Sequence, residues 1–358
     1  MTDQDYMERA ITLAQQGLYS TKPNPNVGCV LVKDGQIIGE GFHPKAGQPH
    51  AEVFALQQAC AQAKGSTAYV TLEPCAHFGR TPPCANALIE AGVKRVVIAG
   101  LDPNHLVAGK GQAMLHAAGI DTTVGVLEAE ARALNKGFLQ VMAGGRPYVR
   151  LKMAASLDGR TAMASGESKW ITGSEARLDV QHWRAMSGAV ITGINTVLAD
   201  DPALNVRQLP DHDVPQATIE NVLQPLRVVL DRNSRFPAQA QLLQQPEHLL
   251  LVGTKQDIAP HVEHWPTLDL AALLDELKSK KQIYDVLIEA GPTLAAEFLK
   301  QGLVDELIVY LAPTLLGSTG RAMFNLSLTQ MSEQYRLQLQ ELSQVGQDVR
   351  LILTPQRA

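Results

Sequence analysis

The chain has 358 residues, 45% of them hydrophobic and 5% aromatic, with a formal net charge of −5 and a sequence pI near 6.1. This length holds two cores at an ordinary globular composition, and the acidic balance offers no broad basic surface for a polyanion, which favours a small-molecule substrate over nucleic acid. The stretch Met1-Thr2-Asp3-Gln4-Asp5 lacks the layout of a secretion signal, no apolar run is long enough to span a bilayer, and four cysteines fit a reducing compartment, so a cytoplasmic protein is expected.

Met7, Ala10, Ile11 and Ala14 recur at helical spacing between Thr2/Asp3 and Gly17, which predicts an amphipathic first helix. A hairpin follows, because the apolar runs 27–32 and 36–39 flank Asp34-Gly35, a strong short turn signal. A second helix is expected over residues 50–63, a buried strand over 68–72 leading into Glu73-Pro74-Cys75, and a helix from Cys84 that ends at Gly92. Strands at 95–99 and 120–126, with a helix between, complete a layered α/β unit. Cys29 and Cys60 read as buried small hydrophobes.

Within this unit, His50-Ala51-Glu52 and Pro74-Cys75-x8-Cys84 supply three ligands of the kind a catalytic zinc takes, His50, Cys75 and Cys84, with the fourth position left to water. Glu52 is then the separate proton carrier of a hydrolytic deaminase. All three ligands fall at helix starts or on the turn before one, where the positive helix end favours thiolate over thiol. Eight residues rather than two separate the cysteines, and Gly79 with Pro82-Pro83 lets this insert fold back onto the rim of the site. A structural zinc is the rival reading; it needs a fourth protein ligand, for which His77 is available, although His77 reads better as lining the substrate pocket. His43 and His105 read as surface or loop histidines, and Asn24, between two prolines, as a turn residue.

Ala143-Gly144-Gly145-Arg146-Pro147 is the best candidate linker and divides the chain into domains 1–145 and 146–358. The second domain opens with a strand over 148–154 that runs into the turn-rich segment 155–160. Further strands are expected at 189–193, 226–230, 248–252, 286–289 and 306–310, separated by helical stretches. Neither a Walker loop nor a Gly-x-Gly-x-x-Gly fingerprint is present. At Glu289-Ala290-Gly291-Pro292-Thr293-Leu294 a buried strand enters a helix, and such a junction presents free amides to a pyrophosphate, though most strand-to-helix glycines only make a turn. The loop Asp231-Arg232-Asn233-Ser234-Arg235 suits an adenosine 2′-phosphate, and a solvated charged turn explains it equally well.

Thr21-x-Pro23-Asn24-Pro25-x-Val27-Gly28, His50-Ala51-Glu52, Glu73-Pro74-Cys75-x8-Cys84 and Lys152-x-Ala154-x-Ser156-Leu157-Asp158-Gly159, taken in this order, resemble the bifunctional deaminase/reductase of bacterial riboflavin biosynthesis over nearly the whole chain. The resemblance implies an α/β protein with a cytidine-deaminase-like three-layer N-terminal domain and a dihydrofolate-reductase-like α/β C-terminal domain. It implies one catalytic Zn2+ and NADPH as cofactors. The reactions it implies are deamination of 2,5-diamino-6-(5-phosphoribosylamino)pyrimidin-4-one, then reduction of the ribosyl group to give 5-amino-6-(5-phosphoribitylamino)uracil.

Carried over by position, the resemblance implies cofactor contacts at Ala154, Trp170, Thr196, Asp200, Ser234, Gly291, Pro292, Thr293 and Leu294. It implies substrate contacts at Asn24 in the first domain and at Ser168, Arg184, Leu204, Arg207 and Glu289 in the second, with Arg184 and Arg207 holding the phosphate. Lys152 and Asp200 are candidates for proton supply or polarisation during reduction. Without the resemblance, Trp170 reads as core packing and both arginines as surface charges. A homo-oligomer is expected, with no nucleic-acid or membrane partner. Two rivals remain open at this point: a nucleic-acid-editing zinc deaminase, and a deaminase whose C-terminal half is non-catalytic.

Overall fold

The computed structural model describes all residues except 77–82, 105–107, 211–213, 215–216, 245–247, 257 and 357–358, and arrangements and counts refer to the described residues. The chain forms two compact units, Met1–Arg146 with Val214–Leu223, and Pro147–Asp213 with Gln224–Ala358. The segment 214–223, which the linker argument put in the second domain, thus packs in the first unit. There Leu223 N donates to Tyr19 O at 3.0 Å, and Lys22 Nζ donates to Leu223 O at 3.3 Å.

The first unit contains α1 (Asp3–Gln15), β1 (Gly28–Lys33), β2 (Gln36–Phe42), α2 (Ala51–Ala59), β3 (Thr67–Val70), α3 (Cys84–Glu90), β4 (Arg95–Ile98), α4 (Lys110–Ala117), β5 (Asp121–Val124), α5 (Glu128–Ala133) and α6 (Lys136–Met142). Thr2 caps α1, its side chain taking the amide of Asp5 while the Asp5 carboxylate takes the amide of Thr2. The five strands order β2-β1-β3-β4-β5, with β1 antiparallel to both neighbours and β3, β4 and β5 parallel. Because side chains alternate along a strand, Leu31, Val70 and Ile98 pack on one face with Ala51, Leu88 and Leu115, while Val30, Tyr69 and Val97 pack on the other with Met7 and Ala10. Three layers result, with α2, α3 and α4 on one side of the sheet and α1 on the other.

Two first-unit expectations are corrected. The helix expected over 50–63 ends at Ala59, where Cys60 takes φ +48° and a short 3-10 turn follows. Cys60 is consequently exposed, whereas Cys29 is fully buried.

The second unit contains β6 (Tyr148–Ser156), β7 (Arg160–Ala162), α7 (Ser174–Met186), β8 (Ala189–Gly193), α8 (Ile194–Asp200), β9 (Leu226–Asp231), β10 (Leu249–Gly253), β11 (Glu263–Trp265), α9 (Leu270–Lys281), β12 (Asp285–Glu289), α10 (Pro292–Lys300), β13 (Glu306–Ala312), β14 (Arg321–Ala322), β15 (Leu337–Val345) and β16 (Asp348–Pro355). Its main sheet orders β11-β10-β9-β8-β12-β6-β13-β16-β15, parallel from β11 to β13 and antiparallel through β16 and β15. The apolar sides of α9 and α10 cover one face through Leu273, Leu277 and Phe298; α7 and α8 cover the other through Val180, Trp183 and Val197. The closing hairpin β15/β16 escaped the sequence reading, although Leu337, Leu339 and Leu351, Leu353 alternate about a turn at Gly346.

Candidate active sites

In the first unit, His50 is the N-cap of α2 and Glu52 lies in its first turn. Gly39 and Gly41 let this helix lie directly on β2, since a β-carbon there would stand 2.2 Å from Ala55 O and 2.4 Å from Ala51 O. Cys75 follows β3, and Cys84 is the first residue of α3. His50 Nδ1 is 3.2 Å from Cys84 Sγ and 3.7 Å from Cys75 Sγ, and the three ligand atoms all lie within 4.8 Å of one another. Nitrogen and sulfur donors around a tetrahedral zinc stand roughly 3.5–3.8 Å apart. The triangle therefore has the size and the chemistry of a zinc site.

Glu52 is buried beside it, and its Oε2 has no hydrogen-bond partner among the described residues. A buried carboxylate oxygen left alone is costly, and a cation with its water is what such a group suits. Burial, with the Cys75 sulfur adding to it, holds the Glu52 carboxyl above the ordinary carboxylate range. Among the described residues no other His, Cys, Asp or Glu joins the three ligands. His77, the rest of residues 77–82, and His105 lie outside the described residues.

The helix-start effect acts across the pair rather than on Cys84 itself. The Cys84 amide, first in α3, donates to Cys75 Sγ at 3.2 Å. The Cys75 thiol is pulled down to about 4, chiefly by its hydrogen bond with Cys84 and then by His50, and Cys84 is pushed up in turn. His50 is raised by its hydrogen bond with Cys75.

His43 is not a surface histidine. It is 2% exposed, with Nε2 at 3.0 Å from Asn24 Nδ2, Nδ1 at 3.1 Å from Pro49 O, and its ring edge-on to His50 at 5.3 Å. Asn24 therefore reaches the neighbourhood of His50 through His43. Nothing in the local spacing shows this, because the end of β2 and the turn bearing Asn24 meet only in the fold.

In the second unit a cavity of 1330 Å³ opens at the carboxyl ends of the parallel strands β6, β8, β9 and β12, the end of such a sheet where ligands ordinarily bind. Eight of its lining side chains are Lys or Arg and four are Asp or Glu, a balance suited to phosphorylated ligands. The structure brings Ala154, Ser168, Trp170, Thr196, Asp200, Leu204, Arg207, Glu289 and the 291–294 segment together in its wall, with Lys152 and Arg184. Ser234 is the exception. It takes φ +53° and directs Oγ to Thr254 O at 3.4 Å, while its neighbours Arg232, Asn233 and Arg235 form the wall.

Several of these side chains are already engaged. Arg184 donates through Nε and Nη2 to both oxygens of Glu289 and through Nη1 to Asn205 O, a bidentate pairing that departs from the expected phosphate ligand. Asp231 Oδ2 accepts the amides of Arg235 at 2.6 Å and Phe236 at 2.8 Å, which shapes the turn carrying Arg232 and Arg235. Trp170 is 72% exposed, not core, and lies under the Arg177 guanidinium at 4.4 Å. Sequence reading missed Arg177, and also Gln181, whose Oε1 accepts the Arg207 amide at 3.0 Å. Both lie on α7, and only helical spacing with Arg184 hinted that they share its face.

The family model for the cytidine and deoxycytidylate deaminase zinc-binding region matches residues 1–100, and that for the RibD C-terminal domain matches residues 147–351. The riboflavin biosynthesis protein RibD of Escherichia coli (strain K12) is 52% identical, over 99% of this chain and 99% of its own length. That of Haemophilus influenzae is 50% identical, over 98% and 96%. A solved structure of Acinetobacter baumannii RibD is 60% identical with a TM-score of 0.94, and 99% of each chain is covered. The diaminohydroxyphosphoribosylaminopyrimidine deaminase/5-amino-6-(5-phosphoribosylamino)uracil reductase of Thermotoga maritima is 34% identical with a TM-score of 0.89, again over 99% of each chain.

Proposed function

The chain belongs to the bifunctional deaminase/reductase family of riboflavin biosynthesis, and we propose that its two sites act in turn on one phosphorylated pyrimidine, the first with zinc and the second with NADPH. It is a hydrolytic deaminase and a reductase. The observation that carries the first assignment is the His50, Cys75 and Cys84 triangle with the orphaned Glu52 oxygen beside it. These three residues hold the ion. Zinc, when bound, supplies a Lewis acid that makes water nucleophilic at neutral pH.

Glu52 accepts one proton as water attacks the ring carbon bearing the amine and passes it to the ring nitrogen; it then takes the remaining hydroxyl proton as the carbonyl forms and gives it to the amine, which leaves as ammonia when the C–N bond breaks. Asn24, held by His43, holds the pyrimidine edge.

NADPH, when bound, supplies a hydride to the sugar carbon that the opened ring presents as carbonyl or imine. The helix-start amides from Gly291 to Leu294 receive the pyrophosphate, and Arg232 and Arg235 face the 2′-phosphate. Ala154, Trp170, Thr196 and Asp200 line the cofactor's path, and Ser168 and Leu204 that of the substrate. With Arg184 committed to Glu289, Arg207 holds the substrate phosphate. Lys152 and Asp200 are the groups in the wall suited to supply the proton, and burial pushes the Lys152 ammonium down.

Homo-oligomerisation is supported by the edge strand β15, which exposes Leu337, Leu339 and Leu342. A reducing cytoplasm suits the adjacent free thiols Cys75 and Cys84, and no described helix is long and apolar enough to cross a membrane. The test is to incubate purified protein with the phosphorylated diaminopyrimidine, first without and then with NADPH, and weigh each product. Exchange of an amine for oxygen, followed by gain of a hydride and a proton, is expected. No mass change in the first incubation would refute the deaminase assignment, and none in the second the reductase assignment.

A further inference from the structure

Glu73, two residues before Cys75, is 8% exposed and takes no part in the chemistry above. Its carboxylate accepts four backbone amides from two separate segments. Oε1 takes those of Gly111 at 2.9 Å and Gln112 at 3.2 Å; Oε2 takes those of Gly109 at 3.0 Å and Asp102 at 3.2 Å. The N-cap of α4 is Gly109, which has no side chain to offer its first amides, so Glu73 caps that helix from a distance. The Glu73 amide in turn donates to Gly100 O at 3.0 Å, and the Ala85 amide donates to Cys75 O at 3.2 Å. The approach is close enough that a β-carbon on Gly111 would stand 2.0 Å from Pro74 O. Four charge-assisted bonds to one carboxylate are a stiff joint. The turn that presents Cys75 is thereby fastened to α4 and to the 100–102 segment, two residues before the cysteine.

We propose that Glu73 is a positioning residue for the metal: it fixes the Cys75 turn so that the sulfur is presented to His50 and Cys84 before the ion arrives. Pre-organised ligands bind more tightly because less chain entropy is lost on binding, and loss of an outer partner of a metal ligand typically weakens affinity about 10–100-fold. This rests on the zinc reading of the site.

Glu73→Gln keeps the size of the side chain but turns one acceptor oxygen into a donor, which releases one pair of amides. Gly111→Ala attacks the same joint from the other side. The test measures Zn2+ affinity of the full-length chain by competition with a chromogenic chelator, ammonia release at limiting and at saturating Zn2+, and reduction of the deaminated pyrimidine. Both variants are expected to bind Zn2+ about 10–100-fold more weakly, to recover ammonia release at saturating Zn2+, and to reduce at the wild-type rate. Wild-type Zn2+ affinity in Glu73→Gln or in a folded Gly111→Ala overturns the inference and leaves the zinc reading standing. Ammonia release that stays low at saturating Zn2+ also overturns it, since a distorted fold rather than a weakened site is then responsible. A wild-type chain that takes up no Zn2+ overturns both.

Discussion

Arg184 lies two-pronged on Glu289, Nε to Oε1 at 2.5 Å and Nη2 to Oε2 at 3.0 Å, with both side chains 10% exposed. Burial alone would raise the Glu289 carboxyl, and the guanidinium holds it below the usual carboxylate range instead. Lys152, the cross-strand partner of Glu289 in the β6/β12 register, is pushed down by burial against the pull of Glu289, and Arg184 adds to the push. Removing one partner of such a pair strands a buried charge, which costs about 3–5 kcal/mol. Arg184→Met is therefore expected to destabilise the second unit by about that amount and to raise the Lys152 ammonium. All three tryptophans, Trp170, Trp183 and Trp265, lie in this unit, so their emission in urea reports it. A loss well under about 1 kcal/mol would place the pair among weak surface bridges.

Glu52→Gln should retain zinc while ammonia release falls about 10²–10⁴-fold, the usual worth of a positioned proton carrier. Cys75→Ser should lose both metal and deamination. Reduction of the deaminated compound should continue in either variant. Undiminished ammonia release from Glu52→Gln would remove Glu52 from the proton path.

Arg207→Ala should raise the KM for the phosphorylated pyrimidine in reduction about 10–150-fold, the equivalent of about 1.5–3 kcal/mol for bonds to a charged group. Deamination kinetics should not change. An unchanged KM would show that the phosphate is held elsewhere.

Arg232→Ala is expected to raise the KM for NADPH about tenfold or more and to leave that for NADH nearly unchanged, because only the former carries the extra phosphate. Equal effects on the two cofactors would indicate that Arg232 meets the pyrophosphate or nothing at all.

Asp158 gives a pH test. Its carboxylate accepts Ser156 Oγ at 2.5 Å, the Leu316 amide at 3.1 Å and the Gly317 amide at 2.8 Å, which pull it from 3.8 to about 2. The folded chain thus holds this proton less tightly than the unfolded chain does. The stabilisation is complete above 3.8 and is lost as pH falls through about 2. Asp158→Asn should flatten that part of the stability profile, followed by tryptophan emission; an unaltered slope would show that the acid sensitivity arises elsewhere.

Much of the fold was legible in the sequence because strand and helix periods are local properties of the chain. The Asp34-Gly35 hairpin, α1 and the parallel core strands follow from neighbours a few residues apart. Apart from the closing hairpin β15/β16, whose alternation is local, what escaped depended on distant partners. His43 looked like a loop residue because Asn24 and Pro49 reach it only in the folded chain, and Trp170 looked like core although it is exposed with the Arg177 guanidinium over its ring. Residues 214–223 carry no mark of the unit they join, since the Leu223 amide donating to Tyr19 O and the Lys22 ammonium donating to Leu223 O tie them to it.

The same division holds at the sites. Residue types and order alone determined that an imidazole, two thiols and a carboxyl of deaminase pattern are present, because ligand chemistry belongs to the side chain itself. Only the tertiary structure decided that His50 and the two cysteines, 25 and 34 positions away, come within bonding reach of one ion, that the first amide of α3 serves Cys75, and that Arg184 is spent on Glu289. Distances between segments remote in sequence are set by the packing of helices on a sheet, which no local pattern encodes.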